Sequence, residues 1–341
     1  MSLRDHRSMQ VMKYLTLTAP TALVAALLLV ACGGGGGGSS TPPPAAAPPS
    51  VEREVQPAST DAAISSDLEA HFAVNPSPAV TAKQRLLVFL PGTFGRPDNY
   101  RSVVRVAAAQ GLHAIGLNYP NNVTVSSLCS TSIDANCFAN TRHEILTGND
   151  TSSAITVSRA NSIENRLIKL LLALHTQAPG EDWDGYLVAG QPDWSRIRVA
   201  GHSQGGGHAA FIAKQYSVDR AVYFGSPADA TSSGLAPWVS VAGATPGPRQ
   251  AGLTHLRDEL ATLPVVSATC RVLGLAGALT SVDGMAAPFG GAKQLTTNAD
   301  PAPGNSALSP LHSTPIVDGV TPLASDGTPL FAPVWRTLLV D

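Results

Sequence analysis

The sequence predicts an α/β domain with a doubly wound, mostly parallel sheet flanked by helices. From about residue 80 onwards, short apolar runs alternate with segments of helical periodicity. These runs are apolar on both faces, which is typical of parallel strands covered by helices on each side. Strands that alternate with helices favour right-handed crossovers and therefore a parallel sheet. With 341 residues, 44% of them apolar, the chain is long enough for one such domain with appendages.

The predicted elements follow one another at the spacing of an α/β fold. Strands are expected in the runs LLVFLP after Arg85, AIGLNY after His113, IRVAGH after Arg196 and AVYFGS after Arg220. One helix is expected over residues 99–111, because it ends at a glycine suited to a helix C-terminus. A second is expected over 162–176, where apolar residues repeat along one face. The connection over residues 121–153 is longer than such crossovers need, so we expect it over the sheet edge or the functional site.

Residues 1–31 are expected to be a signal peptide. Three basic residues precede an apolar run over residues 21–32 that is too short to span a bilayer comfortably. The run ends in LVAC, which resembles a bacterial lipobox, and an ordinary secretory leader ending in cysteine is the alternative. Acylation of Cys32 would anchor the protein to a membrane. We therefore expect the protein in the bacterial cell envelope, lipid-anchored at the outer membrane, or secreted.

Residues 32–80 are expected to be a disordered tether that begins with the lipidated cysteine. This segment is rich in Gly, Ser, Pro and Ala, a composition that buries too little apolar surface to fold. Its six consecutive glycines lack the preceding strand and the Gly-Lys-Ser/Thr ending of a phosphate-binding loop. The folded domain is therefore predicted over residues 81–341.

The cysteines and charges narrow the chemistry further. Cys129 and Cys137 are close enough in sequence to form a disulfide in an oxidising compartment, which leaves Cys270 free and buried. No CxxC pair occurs, and His143-Glu144 lacks the second histidine of a zinc-binding HExxH motif, so no metal site is expected. The formal net charge is −2 and no basic run occurs, which argues against a nucleic-acid partner.

One short motif carries the functional prediction. The pentapeptide Gly-His-Ser-Gln-Gly over residues 201–205 follows a predicted strand and precedes a helix rich in Gly and Ala. A serine on a sharp strand-to-helix turn is strained, and its hydroxyl projects above the end of the strand. The helix N-terminus directs free N–H groups toward that serine, which suits an oxyanion. G-x-S-x-G alone is weak evidence in a glycine-rich chain, so its context matters.

The stretches LLVFLPGTFG and IRVAGHSQGGGHAA resemble the α/β-hydrolase superfamily of serine hydrolases, in its lipase and esterase-like branch. The resemblance covers roughly residues 83–341. It implies that Ser203 is the nucleophile. It also implies that the backbone N–H groups of Gln204 and Thr93 form the oxyanion hole, with Phe94 as the alternative to Thr93. No cofactor is implied.

The same resemblance implies an acid after a later strand and a histidine near the C-terminus. Asp258 follows a plausible strand, and His312 follows it at a distance that leaves room for one helix and one strand. The competing acid is Asp229, which lies just beyond the strand that ends at residue 226. His255 lies so close to Asp258 in sequence that we expect it to be a structural neighbour of the acid.

These residues predict an exported serine hydrolase that cleaves carboxylic esters through an acyl-enzyme on Ser203. The expected partners are a small-molecule or polymeric ester substrate and a membrane bound through the lipid anchor. Fold does not choose among the activities of the superfamily. A peptidase, an amidase or an acyltransferase that uses the same three residues therefore stays open. So does a non-catalytic surface-binding lipoprotein that has kept the scaffold.

Overall fold

A computed structural model describes residues 48–275 and 277–341. The predicted signal peptide, the lipobox with Cys32 and the start of the predicted tether lie outside the described residues. The described part is an α/β structure in which a nine-stranded, mostly parallel sheet is flanked by helices. This confirms the predicted α/β class and the mostly parallel sheet.

The strands include all four that the sequence predicts, each ending earlier than or at the predicted boundary. In chain order they are β1 (Val51–Val55), β2 (His71–Asn75), β3 (Leu86–Leu90), β4 (His113–Gly116), β5 (Leu187–Val188), β6 (Gln191–Pro192), β7 (Ile197–His202), β8 (Arg220–Phe224), β9 (Ala230–Thr231), β10 (Gly234–Leu235), β11 (Gln250–His255), β12 (Thr280–Ser281) and β13 (Gln294–Thr297). The pairs β5–β6 and β9–β10 form two small antiparallel sheets apart from the central one.

The helices lie between these strands along the chain. They are α1 (Pro57–Thr60), α2 (Arg101–Ala108), α3 (Val125–Cys129), α4 (Cys137–Thr147), α5 (Ile163–Gln177), α6 (Gln204–Gln215), α7 (Leu263–Val272), α8 (Pro310–Ser313) and α9 (Ala332–Leu339). Ser162 begins α5, because its hydroxyl accepts a hydrogen bond from the N–H of Asn165. No helix within residues 48–275 and 277–341 combines the length and the apolar composition needed to cross a membrane.

The strand order reverses its direction between β3 and β7. Across the sheet the order is β1-β2-β4-β3-β7-β8-β11-β13-β12, and every pair from β4 to β12 is parallel. From β3 the chain first moves to β4 on one side and later to β7 on the other. After β7 the chain continues to β8, on the side away from β4, so the connections after β3 and β7 run in opposite directions. Ligands of open parallel sheets generally bind at such a position, outside the carboxyl ends of the two strands.

Two apolar layers cover the sheet, one on each face. Along β3, Leu86, Val88 and Leu90 pack into one buried cluster, whereas Leu87 and Phe89 pack into the other. All five are buried, because successive side chains of a strand point to opposite faces and both faces carry helices. The first cluster includes residues of α4, α5 and α6, and the second includes residues of α2 and α9.

The structure corrects the predicted boundary at residue 80, because β1 and β2, both of which precede it, belong to the central sheet. β1 pairs antiparallel with β2, and β2 pairs antiparallel with β4. A salt bridge and a hydrogen bond to distant residues hold this segment. The Arg53 guanidinium binds the carboxylate of Glu181 at 2.7 and 2.8 Å, and buried Arg166 donates to the backbone carbonyl of Asp67 at 2.8 Å. The mean composition of residues 32–80 did not indicate these two strands, because β1 is short and highly charged.

The predicted disulfide is confirmed, with Cys129 at the end of α3 bonded to Cys137 at the start of α4. It ties together the two helices of the long connection over residues 121–153. Cys270 in α7 is unpaired and buried among the described residues, as predicted. Burial raises the pKa of its thiol to about 12, so the thiol stays protonated at neutral pH.

A chain that begins at residue 81 is expected to be much less stable than one that begins at residue 48. The shorter chain loses β1 and β2, leaves the edge of β4 unpaired and loses the buried side chains of Phe72 and Val74. We expect its melting temperature to fall by roughly 10 °C or more. Thermal unfolding followed by circular dichroism measures this, and equal melting temperatures would contradict the N-terminal strands' role.

Candidate active site

The candidate site lies where the turns after β3 and β7 meet, at the carboxyl ends of these two strands. The strands pair in parallel up to Leu90 and Gly201, so both turns leave the sheet side by side. A Cβ atom placed on Gly92 would lie 3.3 Å from the Cβ of Ser203 and 3.0 Å from Nδ1 of His202. The Pro-Gly turn and the serine turn that the sequence singled out are therefore in contact.

Ser203 has the strained backbone expected of a serine on a sharp strand-to-helix turn. Its φ is 53° and its ψ is −120°, a conformation that costs a residue with a side chain about 1–3 kcal/mol. Two backbone hydrogen bonds maintain it: the N–H of Ser203 donates to Phe224 at 2.9 Å, and its carbonyl accepts from Gly207 at 3.0 Å. Ser203 as a whole is half-buried, so part of the residue remains exposed to solvent.

The glycines on either side of Ser203 are required by a close approach between α6 and the sheet. A Cβ atom on Gly201 would collide with the backbone of Gly205. A Cβ atom on Gly205 would in turn collide with the carbonyl of Leu90, at the end of β3. The helix that follows Ser203 therefore starts almost against the neighbouring strand, which no larger residue at either position allows.

Available backbone donors occur on both of the turns that meet at Ser203. Gln204 is the first residue of α6, and the first N–H groups of a helix have no partner within it. The N–H of Thr93 makes no hydrogen bond with the described residues, whereas the N–H of Phe94 donates to Asn121 at 3.0 Å. Of the two alternatives, Thr93 therefore has the available donor. The positive helix end and these N–H groups favour a negative charge here.

The side chain of Gln204 holds the long connection over residues 121–153 against this turn. Its Oε1 accepts from the N–H of Val125 at 2.8 Å and from the hydroxyl of Thr93 at 3.2 Å. Its Nε2 donates to the carbonyl of Val123 at 3.1 Å. The connection thus packs beside the candidate site, as its length predicts, and it orients both Gln204 and Thr93.

Asp258 and His312 form a buried pair, as their order in the chain predicts. Nδ1 of His312 lies 2.9 and 2.8 Å from the two carboxylate oxygens of Asp258. The Asp258 side chain is fully buried, and its Oδ1 also accepts from the N–H groups of Leu260 and Ala261. Nε2 of His312 is buried and has no hydrogen-bond partner among the described residues. A carboxylate on Nδ1 and an open Nε2 suit a general base.

This pair lies beside the serine turn. A Cβ atom placed on Gly225, which directly follows the carbonyl that binds Ser203, would lie 3.0 Å from the His312 ring and 3.1 Å from Asp258. The rings of His312 and His202 lie 4.5 Å apart between centroids, and His202 directly precedes Ser203. The structure therefore brings Ser203, His312 and Asp258 to one end of the sheet.

The backbone of His312 is also held, by residues that sequence reasoning missed. The carboxylate of Glu259 accepts from the N–H of His312 at 2.7 Å and from the N–H of Leu311 at 2.9 Å. Nε2 of buried His202 lies 3.1 Å from the carbonyl of His312. A carboxylate next to the predicted acid was a visible signal for Glu259. For His202 the sequence held no signal beyond its place in the motif.

Asp229, the competing acid, has a different partner. Both of its oxygens bind the guanidinium of Arg142 at 2.6 Å, and Oδ2 also accepts from the indole N–H of Trp238 at 2.9 Å. Both side chains of the ion pair are buried. Asp229 is therefore fully engaged with α4, and the hydrogen bonds of His312 go to Asp258 instead.

Three features outside the candidate site also bear on the predictions. A mostly apolar cavity of about 730 Å³ lies beyond the ends of β12 and β13, and its lining includes none of the residues that form the candidate site. Within the described part of the chain, no group of three His, Cys, Asp or Glu side chains is placed to hold a metal ion. His255 donates from Nε2 to the carbonyl of Ala299, the structural role expected for it.

Comparison of the sequence with models of known protein families and with curated proteins gives no match.

Replacing Asp229 with alanine is expected to lower the free energy of unfolding by about 3–5 kcal/mol, because it leaves the buried Arg142 guanidinium without a counter-charge. Asp300→Ala is the matched control, because that carboxylate pairs with Arg257 at the surface and is 85% exposed. The control is expected to lose less than about 1 kcal/mol. Urea denaturation of both variants measures the difference, and equal losses would contradict a structural role for Asp229.

Proposed function

We propose that this protein is a serine hydrolase of the α/β-hydrolase fold that cleaves carboxylic esters through an acyl-enzyme on Ser203. The observation that carries the proposal is the strained turn at Ser203 beside the buried pair of Asp258 and His312. Strain of this kind persists only where the surrounding structure enforces it, and it concentrates at functional sites.

In the proposed reaction, His312 takes the proton of Ser203 as the serine oxygen attacks the ester carbonyl, and then gives this proton to the leaving alcohol. Asp258 holds Nδ1–H of His312, which fixes the tautomer and supports the imidazolium. The N–H groups of Gln204 and Thr93 stabilise the tetrahedral oxyanion. Water then attacks the acyl-enzyme in the same way and releases the acid. No bound cofactor takes part in these steps.

Ester cleavage is proposed ahead of the other activities because it needs only these parts. A peptidase, an amidase or an acyltransferase would use the same groups, so substrate tests decide among them. We further propose export of the protein and attachment to a membrane through Cys32, which rests on the sequence of residues 1–32. The substrate would then be a small or polymeric ester outside the cytoplasm.

A fluorophosphonate probe is expected to label the wild-type protein covalently and to leave Ser203→Ala unlabelled. The probe reacts with a serine that a histidine activates, and the alanine variant lacks that oxygen. Intact-protein mass spectrometry measures one adduct on wild type. A conservative Ser226→Ala variant is the control, because this buried hydroxyl donates to the carbonyl of Phe224 and takes no part in the reaction. An unlabelled, folded wild type would favour the non-catalytic binding protein.

Hydrolysis of p-nitrophenyl esters of increasing acyl length tests the substrate class and the acid together. Asp258→Asn is expected to lower kcat by about 10³–10⁴-fold, because the amide no longer supports the imidazolium. Asp300→Asn removes a surface carboxylate and is expected to keep kcat within about twofold. Turnover of amides but not of any ester would replace the esterase proposal with the amidase or peptidase. Equal kcat for Asp258→Asn and wild type would exclude Asp258 as the acid.

A further inference from the structure

His202 is a buried histidine beside Ser203 that has no task in the proposed reaction. It lies between Gly201 and Ser203 at the end of β7, and both of its ring nitrogens have partners. Nδ1 lies 2.9 Å from the hydroxyl of Tyr100, and Nε2 lies 3.1 Å from the backbone carbonyl of His312. The hydroxyl of Tyr100 also accepts from the N–H of Gly92 at 3.1 Å.

These contacts allow only one arrangement of protons if the ring is neutral. A carbonyl oxygen can only accept, so Nε2 of His202 carries the proton and donates a hydrogen bond to the backbone carbonyl of His312. Nδ1 is then an acceptor, and the hydroxyl of Tyr100 donates to it. The oxygen of Tyr100 in turn accepts from Gly92. A directed chain of hydrogen bonds therefore runs from the Pro-Gly turn after β3 to the backbone of His312.

The surroundings keep the His202 ring neutral. Burial lowers the pKa of His202 well below its usual range, and the neighbouring His312 lowers it further. A second positive charge 4.5 Å from the His312 ring would also oppose the imidazolium that the proposed reaction forms. His202 is therefore suited to hold its neighbour and not to exchange protons with it.

The segment that carries His312 needs such a contact. His312 lies in α8, a helix of only four residues within a largely irregular stretch from residue 298 to 331. Asp258 holds its ring and Glu259 holds its N–H, while His202 holds its carbonyl. The contact from His202 differs from the other two, because it comes from the residue next to Ser203.

We propose that His202 is a positioning residue that holds the backbone of His312 against the Ser203 turn. Tyr100 extends this hydrogen-bonded connection to the Pro-Gly turn at Gly92, which directly precedes the proposed oxyanion donor Thr93. The inference rests on the proposed function of Ser203 and His312. In this arrangement, hydrogen bonds join the Ser203 turn, the backbone of His312 and the Pro-Gly turn into one unit. A displacement of about 1 Å in such a site can lower the rate by about 10²-fold.

Three substitutions at residue 202 separate the two hydrogen bonds of the ring. His202→Gln places an amide N–H near the position of Nε2, so it keeps the donor to His312. His202→Asn places its amide near the position of Nδ1, so it keeps a partner for Tyr100 but does not reach His312. His202→Leu keeps neither hydrogen bond and fills the space with apolar atoms.

We expect His202→Leu and His202→Asn to lower kcat by about 10²-fold with little change in KM. His202→Gln is expected to recover at least about tenfold of that loss, because it restores the donor to His312. The rates are measured with the p-nitrophenyl ester that wild type turns over best, and circular dichroism confirms that each variant is folded. If His202 had only a structural role, the loss of kcat would follow the fall in melting temperature among the three variants. It would not depend on whether the variant keeps the N–H donor to His312.

Two buried tyrosines provide a matched pair if the leucine variant fails to fold. Tyr100→Phe removes the hydroxyl that links Gly92 to His202, and we expect a loss of about tenfold in kcat. Tyr223→Phe removes a comparable buried hydroxyl, which donates to the side chain of Gln250 at 2.7 Å and has no contact with Gly92, His202 or His312. The control is expected to stay within about twofold of wild type in kcat.

The outcomes distinguish this inference from the proposed function. If wild type is neither labelled by the fluorophosphonate nor active on any acyl substrate, the proposed function fails and the inference fails with it. If wild type is labelled and active, three results overturn the inference alone. The first is a kcat for His202→Leu within threefold of wild type. The second is an equal loss of kcat for His202→Gln and His202→Asn, and the third is a change confined to KM.

Discussion

The close approach of α6 to the end of β3 is the constraint on which the candidate site depends. Gly205 lies against the carbonyl of Leu90, and Gly201 lies against the backbone of Gly205. With the helix start held so near the sheet, the residue between them has no room for an ordinary turn. Ser203 therefore adopts a φ of 53° directly before the first N–H groups of α6, which have no partner within the helix.

Three side chains compensate for the lack of regular structure around His312. Asp258 and Glu259 come from the turn after β11, so a single turn binds both the ring and the N–H of His312. His202 binds its carbonyl from the end of β7. Because β8 lies between these two strands in the sheet, the sheet itself sets the distance between serine and histidine. A rigid parallel sheet thus positions groups that are far apart in the chain.

Three contacts hold the long connection over residues 121–153 in place. The disulfide between Cys129 and Cys137 joins its two helices, and the side chain of Gln204 binds its start. The buried ion pair of Arg142 with Asp229 fastens α4 to the segment after β8. This pair engages both carboxylate oxygens of Asp229, the competing acid, whereas the ring of His312 binds Asp258.

The sequence by itself determined the features that depend on neighbouring residues: the alternating strands and helices, the serine turn with its small residues, the disulfide over a short loop, and the order in which Ser203, Asp258 and His312 occur. Only the tertiary structure decided the features that depend on distant partners. Asp229 binds Arg142, the N–H of Phe94 binds Asn121, and His202 binds His312. The strands within residues 51–75 also required it, because β2 completes its hydrogen bonds only against β4. A buried polar group must find a partner, and which partner it finds is decided by packing between segments that local sequence patterns do not relate.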